Sequence, residues 1–171
     1  MKKVLEHRFK SLYEGERFAI LLFIPIILIN YGFPDLQLYS LPSFWVSFFL
    51  LEFILIQGAY YWHSKWKRLT TENKSITPIK TIKYLKRLKT INIYIIALFI
   101  LLFFIELYFY DSFPPSKALL LSGFLFIFAV LEFVNYFYVQ LAYFNSSDIR
   151  YLIKTKKLKR SSLNKELKRI P

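Results

Sequence analysis

Residues 91–110 read INIYIIALFILLFFIELYFY, an apolar stretch whose one acidic residue, Glu106, lies near its end. At 1.5 Å per residue, a helix of this length covers the ~30 Å hydrocarbon core of a bilayer. Three further apolar stretches lie at 18–33, 44–62 and 118–143. The sequence therefore predicts an all-α integral membrane protein with four transmembrane helices.

The four stretches differ in length. Residues 18–33 are near the lower limit for spanning and contain Pro25, which we expect to kink the helix. Their charged leader mixes acids with bases and no small-residue cleavage site follows, so we expect an uncleaved first helix rather than a signal peptide. Residues 118–143 exceed what the bilayer needs, and this helix is expected to tilt or project from it.

Composition excludes several other classes of protein. The chain is 56% hydrophobic and 20% aromatic, yet its formal net charge is +13. A soluble fold could not cover that much apolar surface, and a disordered chain would not carry it. Cysteine is absent and the two histidines, His7 and His63, lie far apart, so we expect no disulfide, metal or other cofactor.

The basic residues predict the orientation. Residues 1–17 contain five Lys or Arg, residues 63–90 contain nine, and residues 144–171 contain nine. The other two connections contain only Lys117. By the positive-inside rule both termini and the central loop 63–90 are cytoplasmic, and the spans form two hairpins.

A short repeat relates these two hairpins. Leu51-Glu52-Phe53-Ile54 recurs 80 residues later as Leu131-Glu132-Phe133-Val134. Each copy follows an outer loop that contains proline. A duplicated hairpin explains the match, and so does coincidence in a chain rich in Leu, Phe and Ile.

Two intramembrane carboxylates mark a candidate polar site. At 100° per residue, each shares one side of its predicted helix with further polar groups that lead toward the cytoplasm. The candidate residues are Glu52, Tyr60, His63, Glu132, Asn135, Tyr136, Gln140 and Tyr143. They indicate a path for protons or cations, a site for a small polar ligand, or interhelical hydrogen bonds that fix packing.

The C-terminal segment predicts a basic amphipathic helix with a break at Ser161-Ser162. Such a helix lies on anionic headgroups, and each Lys or Arg near the surface contributes about 1 kcal/mol. Nucleic-acid binding is less favoured, because no recognised motif is present and membrane topology already explains the charge. The candidate lipid- or partner-binding residues are Arg150, Lys154, Lys156, Lys157, Lys159 and Arg160.

These patterns favour a non-enzymatic subunit of the cell membrane, multi-pass and from a bacterium with an AT-rich genome. We expect it to act as a sensor, scaffold or anchor, with its basic face on anionic lipid or a soluble cytoplasmic partner. It could also self-associate. The alternative is a transporter or channel subunit in which Glu52 and Glu132 handle protons or cations.

The charge asymmetry makes the orientation testable. Reporter fusions within 65–89 and after Pro171 should be cytoplasmic, and those near Asp35 and Asp111 should be external. Paired alkaline phosphatase and fluorescent protein fusions report the two sides. An external C-terminal reporter would contradict the four-span topology, and the stretch at 18–33 would be the first to reconsider.

Overall fold

The computed structural model describes residues 2–109, 116–141 and 146–169. Helices account for most of this part of the chain, and an isolated bridge between Val139 and Arg160 is its only β pairing. The helices are α1 (Lys2–Phe23), α2 (Ile29–Gly32), α3 (Pro42–Glu72), α4 (Ile79–Phe109), α5 (Ser116–Phe137), α6 (Ser146–Thr155) and α7 (Ser162–Leu167).

Three of these helices, α3, α4 and α5, are long and apolar enough to span a membrane. The helical run Lys2–Gly32 and the run Pro34–Ser40 would together make a fourth span. These two runs are inclined to each other by 97°. The all-α class and a set of three to four candidate spans are therefore confirmed at this coarser level.

The N-terminal helix differs from its predicted boundaries. α1 begins at Lys2, so residues 2–17 of the basic segment are helical and continuous with the first apolar stretch. The α-helix gives way to a 3₁₀ segment at Ile24–Leu28, which has Pro25 near its start. Since proline has no N–H to donate and its ring crowds the preceding turn, Pro25 accounts for this change of hydrogen bonding. The reported bend of 97° lies further on, between Gly32 and Pro34, so the kink at Pro25 stays a prediction.

α3 lies at the centre of the bundle and packs against α1, α4 and α5. Its buried positions include Phe44, Leu51, Ile54 and Tyr61, all fully enclosed. α4, by contrast, leaves most of its apolar side chains exposed, as expected of a helix at the edge of a membrane bundle. The inward-facing apolar side chains of the chain are thus concentrated on α3.

Buried polar side chains join α3 to α4 at two levels. Gln57 and Asn92 exchange two amide hydrogen bonds of 3.0 Å. Near the start of α3 and the end of α4, the Ser43 N–H donates to Glu106 Oε1 over 2.7 Å, and its hydroxyl donates to Glu106 Oε2. Glu106 is only 3% exposed, and its carboxylate caps the start of α3.

The helices differ in extent from the predicted spans at two further places. The loop 63–90 is mostly helix, because α3 continues to Glu72 and α4 begins at Ile79. α5 ends at Phe137, six residues before the predicted end at 143. The chain leaves the helix there because Tyr138 and Gln140 form backbone hydrogen bonds with Ser161 and Lys159 of the C-terminal segment.

The break between the two helices of the C-terminal segment also differs in position from the predicted one. α6 ends at Thr155, and Lys156 has a left-handed backbone with φ of 50°. α7 starts at Ser162, where the Ser161 hydroxyl accepts a 3.0 Å hydrogen bond from the Asn164 N–H. The break therefore covers residues 156–161, and Ser161 is the N-cap of the second helix.

The two helices that carry the repeat run in the same direction. Ser122 on α5 donates to Ser43 on α3, and Tyr136 on α5 packs on Gly58 of α3. These pairs are 79 and 78 residues apart in sequence, so Glu52 and Glu132 lie at nearly the same level. Two parallel hairpins fit this arrangement, and the duplication stays a prediction.

The contact between Gly58 and Tyr136 predicts opposite effects for two glycine substitutions. A Cβ atom at Gly58 would come within 2.4 Å of the Tyr136 ring, whereas one at Gly123 meets nothing within 4 Å. Gly58→Ala should lower stability by about 1–3 kcal/mol, and Gly123→Ala should keep or raise it by up to about 1 kcal/mol. Thermal unfolding in detergent measures both. Equal melting temperatures would contradict this close packing.

Candidate functional site: the basic end of the bundle

Glu52 lies at the interface of α3 and α4, beside a groove open at the side of the bundle. This lateral groove has a volume of about 310 Å³ and is otherwise lined by apolar side chains, among them Phe49, Ile56 and Ile91. Glu52 is 9% exposed, and its Oε1 atom has no hydrogen-bond partner among the described residues. A carboxyl group in this position is stable only in its neutral form or with a partner from outside.

The structure does not join Glu52 to Tyr60 and His63 in one polar path. The ring of Tyr60 contacts Tyr84 of α4, with centroids 6.1 Å apart. His63 packs instead against Tyr13 of α1, with centroids 5.0 Å apart. The predicted stripe on α3 therefore divides between two neighbouring helices.

The stripe on α5 is shorter than predicted. Asn135 donates to Glu132 over 3.3 Å and accepts a 2.9 Å hydrogen bond from the Leu141 N–H, so it caps the end of α5. Tyr136 is buried against α3. Gln140 lies beyond the helix, where its N–H donates to Lys159.

Of the remaining predicted site residues, Tyr143 lies outside the described residues.

The structure adds a residue that the sequence reasoning did not single out. Glu16 of α1 lies near both Tyr136 and Glu132. Two carboxyl groups from different helices thus approach one phenol, whereas Glu52 lies at another interface.

A buried ion pair fixes the C-terminal segment to the end of α3. Lys65 Nζ donates to Glu166 Oε1 over 2.7 Å, and both side chains are 8% exposed. The second carboxylate oxygen of Glu166 accepts a 3.1 Å hydrogen bond from the Thr77 N–H in the turn between α3 and α4. Tyr61 and Ser162 complete this network through their hydroxyl groups.

The same end of α3 also receives the N-terminal part of α1. Phe9 packs against Trp62 with ring centroids 5.9 Å apart, and Lys65 Nζ lies 5.2 Å from the Phe9 ring. Tyr13 stacks on Trp66 at 6.2 Å. The three basic segments predicted from sequence therefore meet at one end of the bundle, which we call the basic end.

α6 belongs to a loop whose two ends are held together. The bridge between Val139 and Arg160 has a 2.8 Å hydrogen bond from the Gln140 N–H to Lys159, and it closes the loop 140–159. Of the candidate residues in this segment, Lys159 is half-buried, and the exposed ones are Arg150, Lys154, Lys156, Lys157 and Arg160. Ile153 and Leu158 are exposed beside them.

A second groove lies at the turn between α3 and α4. This turn groove has a volume of about 600 Å³, and its lining includes Arg68, Lys74, Ile76, Thr77, Ile79 and Lys80. The Arg68 guanidinium donates to the Ile76 carbonyl oxygen over 3.1 Å and to the Glu72 carboxylate over 3.0 Å. Cationic and apolar side chains thus lie next to each other on an ordered turn.

Sequence reasoning missed the residues that build the basic end. Lys65 and Glu166 are 101 residues apart, and nothing in their local sequence links them. One available signal was that Glu166 is one of only two acidic residues in the basic segment 144–171. Within the described ranges, no group of three or more His, Cys, Asp or Glu side chains is placed to hold a metal ion.

No family model, curated protein or solved structure was found to match this chain.

The ion pair predicts a specific loss of stability. Lys65→Met leaves the Glu166 carboxylate buried without its cation, which should cost about 3 kcal/mol and release α7. Lys67→Met, on an exposed side chain of the same helix, is the matched control. Limited proteolysis of the C-terminal segment, with thermal unfolding in detergent, should distinguish the two variants. Equal cleavage rates would show that the pair does not hold α7.

Proposed function

We propose that the chain is a small non-enzymatic membrane protein that holds a soluble partner at the cytoplasmic face of the cell membrane. In this proposal α3, α4, α5 and the bent N-terminal run cross the bilayer, and the basic end lies in the cytoplasm. The positive-inside rule supports this orientation, because the lysine- and arginine-rich segments meet at the end of the bundle opposite Lys117.

The observation that carries the proposal is the extension of α3 and α4 beyond their apolar stretches. α3 continues from Trp62 to Glu72, and α4 begins at Ile79, twelve residues before Ile91. At 1.5 Å per residue these extensions are about 15–18 Å long. The headgroup layer on one side of a bilayer is only about 5–8 Å thick. The turn therefore projects into the aqueous phase, where a soluble protein can reach it.

The contacts at the base of the turn keep this projection ordered. Lys65 and Glu166 tie α3 to α7, and the Thr77 N–H ties the turn to the same carboxylate. Phe9 and Tyr13 bring α1 alongside. A preorganised surface binds a partner without the entropic cost of ordering a loop, which suits an anchor or scaffold.

α6 has a different role in this proposal, because it follows the end of α5 and so lies near the headgroups. Lys154 in its last turn and Lys156 and Lys157 just beyond it are exposed and would attract anionic lipid, and Ile153 and Leu158 would enter the interface. Closure of the loop at its base limits how far α6 can move from the bundle.

The alternative, transport by intramembrane carboxylates, has one observation in its favour. Glu52 Oε1 has no partner within the described residues, as expected of a group that exchanges a proton or binds a cation. However, Glu52 and Glu132 lie at different helix interfaces, and the groove beside Glu52 opens sideways. This geometry favours the anchor over a path along the bundle.

Site-specific photo-crosslinking in living cells tests the anchor. A photoreactive amino acid in place of Ile79, which is 64% exposed at the turn, should form one reproducible adduct with a soluble protein. The matched control replaces Tyr108, which is 79% exposed at the opposite end of the bundle. Equal labelling at both positions would overturn the proposal. Cation or proton flux in liposomes that is lost in Glu52→Gln would favour transport instead.

A further inference from the structure

We infer that the turn groove binds an acidic polypeptide segment that also carries an apolar side chain. This inference rests on the proposed function and names the chemistry of the partner and the surface that receives it. The groove is formed by the C-terminal turn of α3, the connection and the first turn of α4.

The apolar part of the groove indicates a binding surface. Ile76 is 53% exposed and Ile79 is 64% exposed, and Pro78 lies between them. Ile79 is about 18 Å from the apolar part of α4, measured along the helix. Hydrocarbon chains do not reach that far, so these isoleucines face water. Adjacent exposed isoleucines on an ordered turn are typical of a surface that another protein covers.

The charged side chains of the groove determine the sign of the charge that the partner must carry. Arg68, Lys74 and Lys80 line it, and Lys80 is exposed just inside α4. Glu72 is the nearby anion, 3.0 Å from Arg68 Nε and 3.9 Å from Lys74 Nζ. Because Glu72 is itself half-exposed, a carboxylate of the partner can compete for the same cations. The groove therefore retains a net positive charge that an acidic segment would complement.

A carboxylate is already recognised at the inner side of this turn. Glu166 of α7 accepts hydrogen bonds from the Thr77 N–H and from Lys65, and it fixes the turn from beneath. This contact belongs to the described network and leaves the outer side open. The turn thus combines a fixed backbone, cations and an apolar rim, which together select a short polypeptide rather than a bare phosphate.

Fluorescence anisotropy on the full-length chain in phosphatidylcholine nanodiscs tests the inference. The probe is a labelled peptide of about twelve residues, mostly Glu with several Leu, at about 150 mM salt where weak long-range attraction is screened. A matched peptide with Ser in place of Leu tests the apolar requirement. Inorganic phosphate, phosphatidylserine vesicles and a single-stranded oligonucleotide serve as competitors for the other anionic ligands.

Three variants make the test specific. Lys74→Gln with Lys80→Gln should weaken binding by about tenfold, whereas Lys83→Gln with Arg87→Gln, which removes the same charge from the same hairpin, should change it less than about twofold. Glu72→Gln should strengthen binding, because it frees Arg68 and Lys74. This gain cannot come from misfolding, and melting temperatures control for the losses.

The inference is overturned if both double variants weaken binding equally, or if the Ser peptide binds as well as the Leu peptide. It is also overturned if one of the competitors displaces the labelled peptide when the two are present at equal concentration. The crosslinking result separates this failure from that of the anchor. An adduct at Ile79 with no acidic-peptide binding would leave the anchor in place and remove only the chemistry assigned to its partner.

Discussion

Two buried polar contacts between α3 and α4 hold these helices in one register. Ser43 and Gln57 are 14 residues apart on α3, and their partners Glu106 and Asn92 are 14 residues apart on α4. Fourteen residues make almost four turns, so both contacts lie on the same face of each helix, about 21 Å apart. A shift of α4 by one residue would break both contacts, and apolar packing alone has no comparable penalty in lipid.

This register determines where the rest of the chain can pack. With α4 fixed on one side, α3 still offers Gly58 to Tyr136 of α5 and Trp62 to Phe9 of α1. Each interhelical hydrogen bond in a membrane contributes only about 0.6 kcal/mol. The contacts therefore select one arrangement of helices, and most of the stability comes from the close packing that follows.

The sequence predicted what depends on hydropathy and charge along the chain. It located the apolar stretches, an irregularity of the first helix at Pro25 and the gathering of basic segments, because these are local or additive properties. It did not predict the end of α5 at Phe137 or the burial of Glu166. Both depend on a C-terminal segment that returns to the bundle, and such a contact between distant residues leaves no periodic signal. The members of the polar stripes lie against different neighbours for the same reason, because helical angles give a direction but not the neighbour that lies there.

The distribution of polar groups follows from the two environments that the proposed orientation gives the chain. In the apolar stretches, polar side chains such as Asn92 and Glu106 are paired, because an unpaired one has no water to replace its partner. Among the described residues the Glu52 carboxyl and the Tyr136 hydroxyl lack such a partner, and Glu52 lies where another molecule can approach. Beyond the bilayer the constraint reverses, since water solvates an exposed charge well and an exposed isoleucine poorly. Ile76 and Ile79 thus share one property with Glu52, because the polarity of each of these side chains is opposite to that of its surroundings. These departures point to contacts with other molecules, and the turn groove alone combines an apolar rim with cations on an ordered support.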